Sequence, residues 1–156
     1  DPYGRPLKKV GSTFMNLLFP YSLKVQQHPA DVMLYAFNRD NPDMAYRPQR
    51  KFKSYYEFKI GKDDRGKDIK QKFTPAQITA FDQLAGIRFS RELLNAKKSG
   101  GSAWLEGETL SNPTPKDIDR YKTIKENSDK KVKAMISHPN WKSIYEANLK
   151  KLTESK

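Results

Sequence analysis

The sequence has no cysteine. Disulfides, thiolate metal sites and a cysteine nucleophile are therefore excluded, and a reducing compartment is compatible with the chain. Histidine is nearly as scarce. His28 and His138 each precede a proline at an expected helix boundary, where a polar side chain commonly caps or turns the chain. Without thiolates, and with two imidazoles far apart in sequence, a metal site would need carboxylates, and no spaced carboxylate cluster stands out. Asp63-Asp64-Arg65-Gly66-Lys67-Asp68 lacks the alternating ligands and final Glu of a calcium loop and reads as a charged turn. No apolar run approaches the roughly 20 residues needed to span a bilayer, and no signal peptide is visible. A P-loop, a dinucleotide fingerprint and a G-x-S-x-G elbow are all missing. Glu106 and Glu108 flank a glycine in an expected loop, which is no argument for a glycosidase pair. An enzyme is the weakest functional class. No catalytic residue, cofactor or metal is expected.

Apolar residues are also in short supply: 36% of the 156 residues are hydrophobic and 31% are charged. Several small clusters, or a core completed by other subunits, fit this balance better than one large core. Aromatics are not scarce, with eight Tyr, eight Phe and two Trp, and a fully disordered chain usually lacks them. The expectation is a folded but partly extended protein that buries part of its aromatic surface against partners.

What the chain has in excess is positive charge, a net +12 with a pI near 9.8. Residues 1–73 carry fifteen basic and eight acidic side chains, residues 74–114 four of each, and residues 115–156 eleven basic and six acidic. Both ends are basic and the middle is neutral. Such an excess suits DNA, RNA or an acidic protein surface, and equally a well-solvated exterior.

The stretch from 50 to 98 organises the rest. Tyr56, Phe58 and Ile60 alternate with Glu57 and Lys59, the period of a strand with one wet face. Gly61 to Gly66 is turn chemistry, and Ile69, Gln71 and Phe73 form a return strand that closes a hairpin. Thr74-Pro75-Ala76-Gln77 then opens a helix. Thr74 caps it, Pro75 takes the first position and Gln77 completes a capping box. Ile78, Phe81, Leu84, Ala85, Arg88, Phe89 and Glu92 or Leu93 follow on one face, and the helix ends near Lys97-Lys98.

Around this centre, Asp1-Pro2-Tyr3-Gly4-Arg5-Pro6 predicts an extended arm over residues 1–27. Phe14, Leu17, Leu18 and Phe19 would anchor that arm on a partner or on the chain's own core. Pro29 opens a helix with Val32, Met33, Tyr35, Ala36 and Phe37 on its buried side. Residues 28–98 read as a small α+β unit. The basic residues Arg47, Arg50, Lys51 and Lys53 interleave with Tyr46, Phe52, Tyr55 and Tyr56. That mixture occurs in single-strand nucleic-acid binders and also on edge strands whose lysines discourage aggregation. Residues 99–113 read as a linker with Trp104 in a hydrophobic tab. Residues 114–156 read as a helical hairpin tail, broken at His138-Pro139, with Trp141 in the last helix. Lys130, Lys131 and Lys133 lie on its charged face, as nucleic-acid contacts or as a solvated surface. The fold class expected is α+β and helix-rich.

Three stretches carry a resemblance: Asp1-Pro2-Tyr3-Gly4-Arg5-Pro6, the segment through Tyr46-Arg47-Pro48, and Phe73-Thr74-Pro75-Ala76-Gln77 leading to Leu84-Ala85-Gly86. In that order they resemble the C-terminal region of very large tailed-phage internal virion proteins, the polyvalent proteins associated with genome ejection. The similarity spans roughly residues 1–95 and, more loosely, the tail, whose lysine-rich hairpin departs from the pattern. It implies a non-enzymatic structural module inside the capsid or at the portal, made in the host cytoplasm. Its partners would be the portal or inner core, further copies of itself and packaged DNA. Phe14, Leu17, Leu18, Phe19, Phe81, Phe89, Trp104 and Trp141 would then dock partners. The beginning at Asp1 rather than Met leads us to expect a processed product or a piece of something longer. The alternative is a free-standing basic nucleic-acid-binding protein.

Overall fold

The structure, a computed structural model, describes residue 3, residues 28–48 and residues 56–154. The arm expected over 1–27 falls, apart from Tyr3, outside these residues, as do Phe14, Leu17, Leu18, Phe19, Arg50, Lys51 and Lys53. The fold is α+β and helix-rich, as the periodicities predict. Helix α1 spans Pro29–Asp40 and is followed by a single 3₁₀ turn at Pro42–Met44. Strands β1 (Glu57–Lys62) and β2 (Asp68–Lys72) form an antiparallel ribbon. Helices α2 (Pro75–Asn95), α3 (Glu108–Ser111), α4 (Pro115–Ile136) and α5 (Trp141–Glu154) complete the described elements.

Local chemistry accounts for the helix boundaries. The Gln77 N–H donates to Thr74 Oγ1 (3.2 Å) and Gln77 Oε1 accepts from the Thr74 N–H (2.8 Å), closing the capping box of α2. At α4, Asp117 Oδ2 accepts from the Thr114 N–H (2.8 Å). His28 caps α1, its Nδ1 accepting from the Ala30 N–H (3.0 Å), while His138 Nδ1 accepts from the Asn140 N–H (3.0 Å) in the turn that precedes α5.

Helices α2 and α4 pack antiparallel and carry the core between them. One cluster joins Tyr3, Met33, Leu34, Phe37, Phe89, Leu93, Trp104, Leu105, Ile118 and Tyr121. The other joins Phe73, Ala80, Phe81, Leu84, Ala85, Val132 and Ile136, with Trp141 and Tyr145 of α5 packed against it. α5 lies along α2, held by Tyr145 Oη donating to Gln83 Oε1 (2.5 Å) and by Arg91 Nη1 donating to the Leu152 carbonyl (2.9 Å).

Two expectations need correction. The segment 99–113 does not work as a linker: it carries α3, buries Trp104 and Leu105, and joins a cluster with members on either side of it. Trp104 Nε1 also donates to Asp117 Oδ1 (2.9 Å), which fixes the segment onto α4. On α1, the buried stripe is Ala30, Met33, Leu34 and Phe37, together with Ala36. Val32 and Tyr35 fall outside it, and Tyr35 is 68% exposed.

Candidate nucleic-acid interface

The ribbon and the C-terminal end of α4 enclose a groove of about 430 Å³, lined by Glu57, Phe58, Lys59, Lys70, Lys130, Lys133, Ala134 and Ser137. Its position follows from three contacts. The Phe73 N–H donates to the Tyr56 carbonyl (2.7 Å) and closes the base of the ribbon. Phe58 and Phe73 pack ring to ring at 5.3 Å, and Phe73 reaches Phe81 of α2 at 5.9 Å. Gln77 Nε2 then donates to the Ile136 carbonyl (3.0 Å), so the start of α2 is tied to the end of α4. The ribbon runs into α2 through Phe73 and Thr74, and the same tie therefore sets the ribbon beside Lys130 and Lys133.

The charge of this groove is only partly compensated, four lysines standing against Glu57 in the lining and Asp68 beside it. Lys59 and Lys70 are direct cross-strand partners, an arrangement that like charges disfavour. Asp68 relieves part of it by pairing with Lys59 at 2.9 Å. Glu57, the acid in the lining, stands opposite Lys72 in the ribbon. A lysine in the last turn of a helix balances the helix dipole, which accounts for Lys133 alone and not for four lysines around one groove. Groups that repel one another in the free protein are relieved when an anion enters between them.

Of the basic residues singled out in sequence, Lys130 and Lys133 line the groove. Lys131 instead turns to Glu92, its Nζ 3.8 Å from Oε1. Arg47 is exposed beside Tyr46, which packs on the other cluster. Lys59 and Lys70 escaped the sequence reading because each is one charge among several in a ribbon of mixed sign. Their opposition becomes readable only once the register is known.

The expected docking residues behave differently. Phe81, Phe89 and Trp104 are 0%, 2% and 2% exposed, so these rings are spent on the chain's own core and offer a partner no surface. That corrects the expectation of partner docking through them. Trp141 is half-buried against the second cluster.

His28 Nε2 and Ser90 Oγ lie 2.9 Å apart, a spacing compatible with a base and a nucleophile. The tautomer runs the other way. Nδ1 accepts from the Ala30 N–H, so in the neutral ring Nε2 carries the proton and donates to Ser90. The ring is stacked on Tyr3 at 4.1 Å and fixed as a helix cap. Among the described residues, no group of three or more metal-ligating side chains stands together, and no helix is long and apolar enough to cross a membrane. Comparison with family models, with curated proteins and with solved structures finds no match to this chain.

Proposed function

We propose that the protein is a non-enzymatic basic module that contacts the phosphate backbone of a nucleic acid through the groove between the ribbon and α4. The convergence of Lys59, Lys70, Lys130 and Lys133 on one concave surface carries this reading. Phosphates entering the groove would complete the relief of the Lys59–Lys70 opposition that Asp68 begins. For the setting, we propose a bacteriophage particle, as the C-terminal part of an internal or ejection protein at the portal or inner core. That part rests on the sequence resemblance alone. The free-standing nucleic-acid binder uses the same groove without the particle.

Salt tests the contact. With three to four phosphates neutralised, affinity for a fluorescent oligonucleotide should fall on the order of 10²-fold between 50 and 200 mM salt. Replacing Lys130 and Lys133 with Ala should weaken binding and flatten the slope by about two. Salt-independent binding, or a slope unmoved by these substitutions, overturns the groove. Peptide mass spectrometry on purified particles tests the setting. Peptides of this chain within particles support the virion reading, and a chain found only free in the cytoplasm leaves the free-standing binder.

A further inference from the structure

His28 serves two partners through its two ring nitrogens, and only the neutral ring can serve both. Nδ1 accepts from the Ala30 N–H at 3.0 Å and caps α1, while Nε2 donates to Ser90 Oγ of α2 at 2.9 Å. The ring is buried, and it stacks on Tyr3 with 4.1 Å between centroids and 9° between planes. A second proton would sit on Nδ1 and point at the Ala30 N–H, donor against donor. It would also put a charge in a buried site, at the positive end of the α1 dipole. The protonated ring escapes by leaving its place, which gives up the cap, the Ser90 contact and the Tyr3 stack together.

The groups around the ring bear on its charge. On α1, Asp31 favours a charged ring, but its Oδ1 already accepts from the Tyr3 hydroxyl. On α4, the Tyr121 hydroxyl lies 3.3 Å from that of Tyr3, and burial holds it neutral until far into the alkaline range. On α2, Ser90 does not titrate in this range, nor does Phe89, which stacks on Tyr3 at 5.8 Å. Tyr3 sits between His28 and Phe89 with its hydroxyl on Asp31, so two of its three supports belong to the first turn of α1 and its cap. The remainder of α1 is held otherwise, by Met33, Leu34 and Phe37 in the first cluster.

We infer that His28 is an acid-sensitive pin: below the ordinary imidazole range it takes up a proton, the first turn of α1 opens and Tyr3 leaves its seat, while the body formed by α2 and α4 stays folded. An unconstrained histidine binds its proton near pH 6.5, and the pinned ring resists it. The opened state therefore binds more protons in acid. The closed state is complete above about pH 6.5 and is lost as pH falls below it. One proton sets the limit, a tenfold change in the opening constant per pH unit.

Amide exchange by NMR on the full chain, from about pH 7.5 down to about 4.5, tests the pin, with protection corrected for the intrinsic exchange rate at each pH. Ala30 protection should be flat above about pH 6.5 and fall by up to tenfold per unit below it. Overhauser contacts between the Tyr3 and His28 rings should vanish over the same interval, and the Leu84 and Val132 amides should hold. His28→Asn supplies a cap that does not titrate, and its Ala30 amide should stay protected throughout. Wild-type Ala30 protection that ignores pH overturns the pin, by showing that the charged ring is accommodated. An equal fall in His28→Asn also overturns it, by assigning the titration to another group. Leu84 and Val132 amides that open together with Ala30 mean acid unfolding of the whole protein and no pin. If the variant does not fold, the wild-type rings decide alone: the His28 resonances must titrate over the interval in which Ala30 protection and the Tyr3 contact are lost, and titration with both retained overturns the inference.

Discussion

Tyr3, Asp31 and Tyr121 meet in a buried polar knot at the centre of the first cluster. Tyr3 Oη donates to Asp31 Oδ1 at 2.5 Å, and the Tyr3 and Tyr121 hydroxyls lie 3.3 Å apart. Burial pushes the Tyr121 hydroxyl up to about 12, with the neighbouring Tyr46 and Asp31 adding to the rise. Burial raises Tyr3 further, reinforced by Tyr121 and Asp31 beside it. An unfolded tyrosine titrates near 10. Above about pH 10 the unfolded chain therefore sheds protons that the folded chain retains, and stability falls as pH rises. Stability owed to neutral Tyr121 is complete below about pH 10, and about 2 kcal/mol of it is gone by about pH 12. Thermal melts from pH 8 to 12 should show a steep alkaline decline in the wild type and a shallower one in Tyr121→Phe. Parallel declines would remove Tyr121 from the account.

At the scale of elements, the ribbon is where stability and binding diverge. Lys70→Glu puts an acid opposite Lys59 and converts a repulsive cross-strand pair into an attractive one. Such pairs differ by roughly 0.5 kcal/mol or more, so the melting temperature should rise by about 1–3 °C. The same substitution takes a cation out of the groove and adds an anion, so oligonucleotide affinity should fall by about tenfold or more. A variant that is both less stable and equally good at binding would show that the pair is neither strained nor functional. The ribbon and α2 are legible in sequence because alternation and the capping box are local signals: Phe58 and Phe73 fall on one face, and Thr74 and Gln77 find each other within one turn. The groove is not legible, because its two halves are joined by Gln77 reaching the Ile136 carbonyl, a contact across 59 positions. Phe81, Phe89 and Trp104 are misjudged for a related reason. A low apolar fraction points to outside partners, whereas α2 and α4 match narrow apolar stripes closely enough to bury these rings internally. Tyr35 errs the opposite way, since a helical stripe one position off is indistinguishable by composition alone.

For the whole molecule, the question is whether two clusters make two folding units. Helices α2 and α4 each rise about 32 Å, long enough to serve both clusters. α2 places Phe89 and Leu93 in one and Phe81 and Leu84 in the other. α4 does the same with Ile118 and Tyr121, and then Val132 and Ile136. Losing either cluster strips half the packing from both helices, and most helical stability in proteins comes from such packing. The clusters should therefore unfold together. The two tryptophans report on them separately: Trp104 is buried in the first and Trp141 packs against the second. In urea, Trp104→Phe leaves Trp141 as the sole indole, and Trp141→Phe leaves Trp104. The first substitution removes the donor to Asp117 and should cost about 1 kcal/mol. Each variant's fluorescence midpoint is accordingly compared with its own circular dichroism midpoint. Coincidence in both variants is expected. A Trp141 transition that precedes loss of helicity would instead mean that the second cluster, and the ribbon and groove built on it, opens independently of the first.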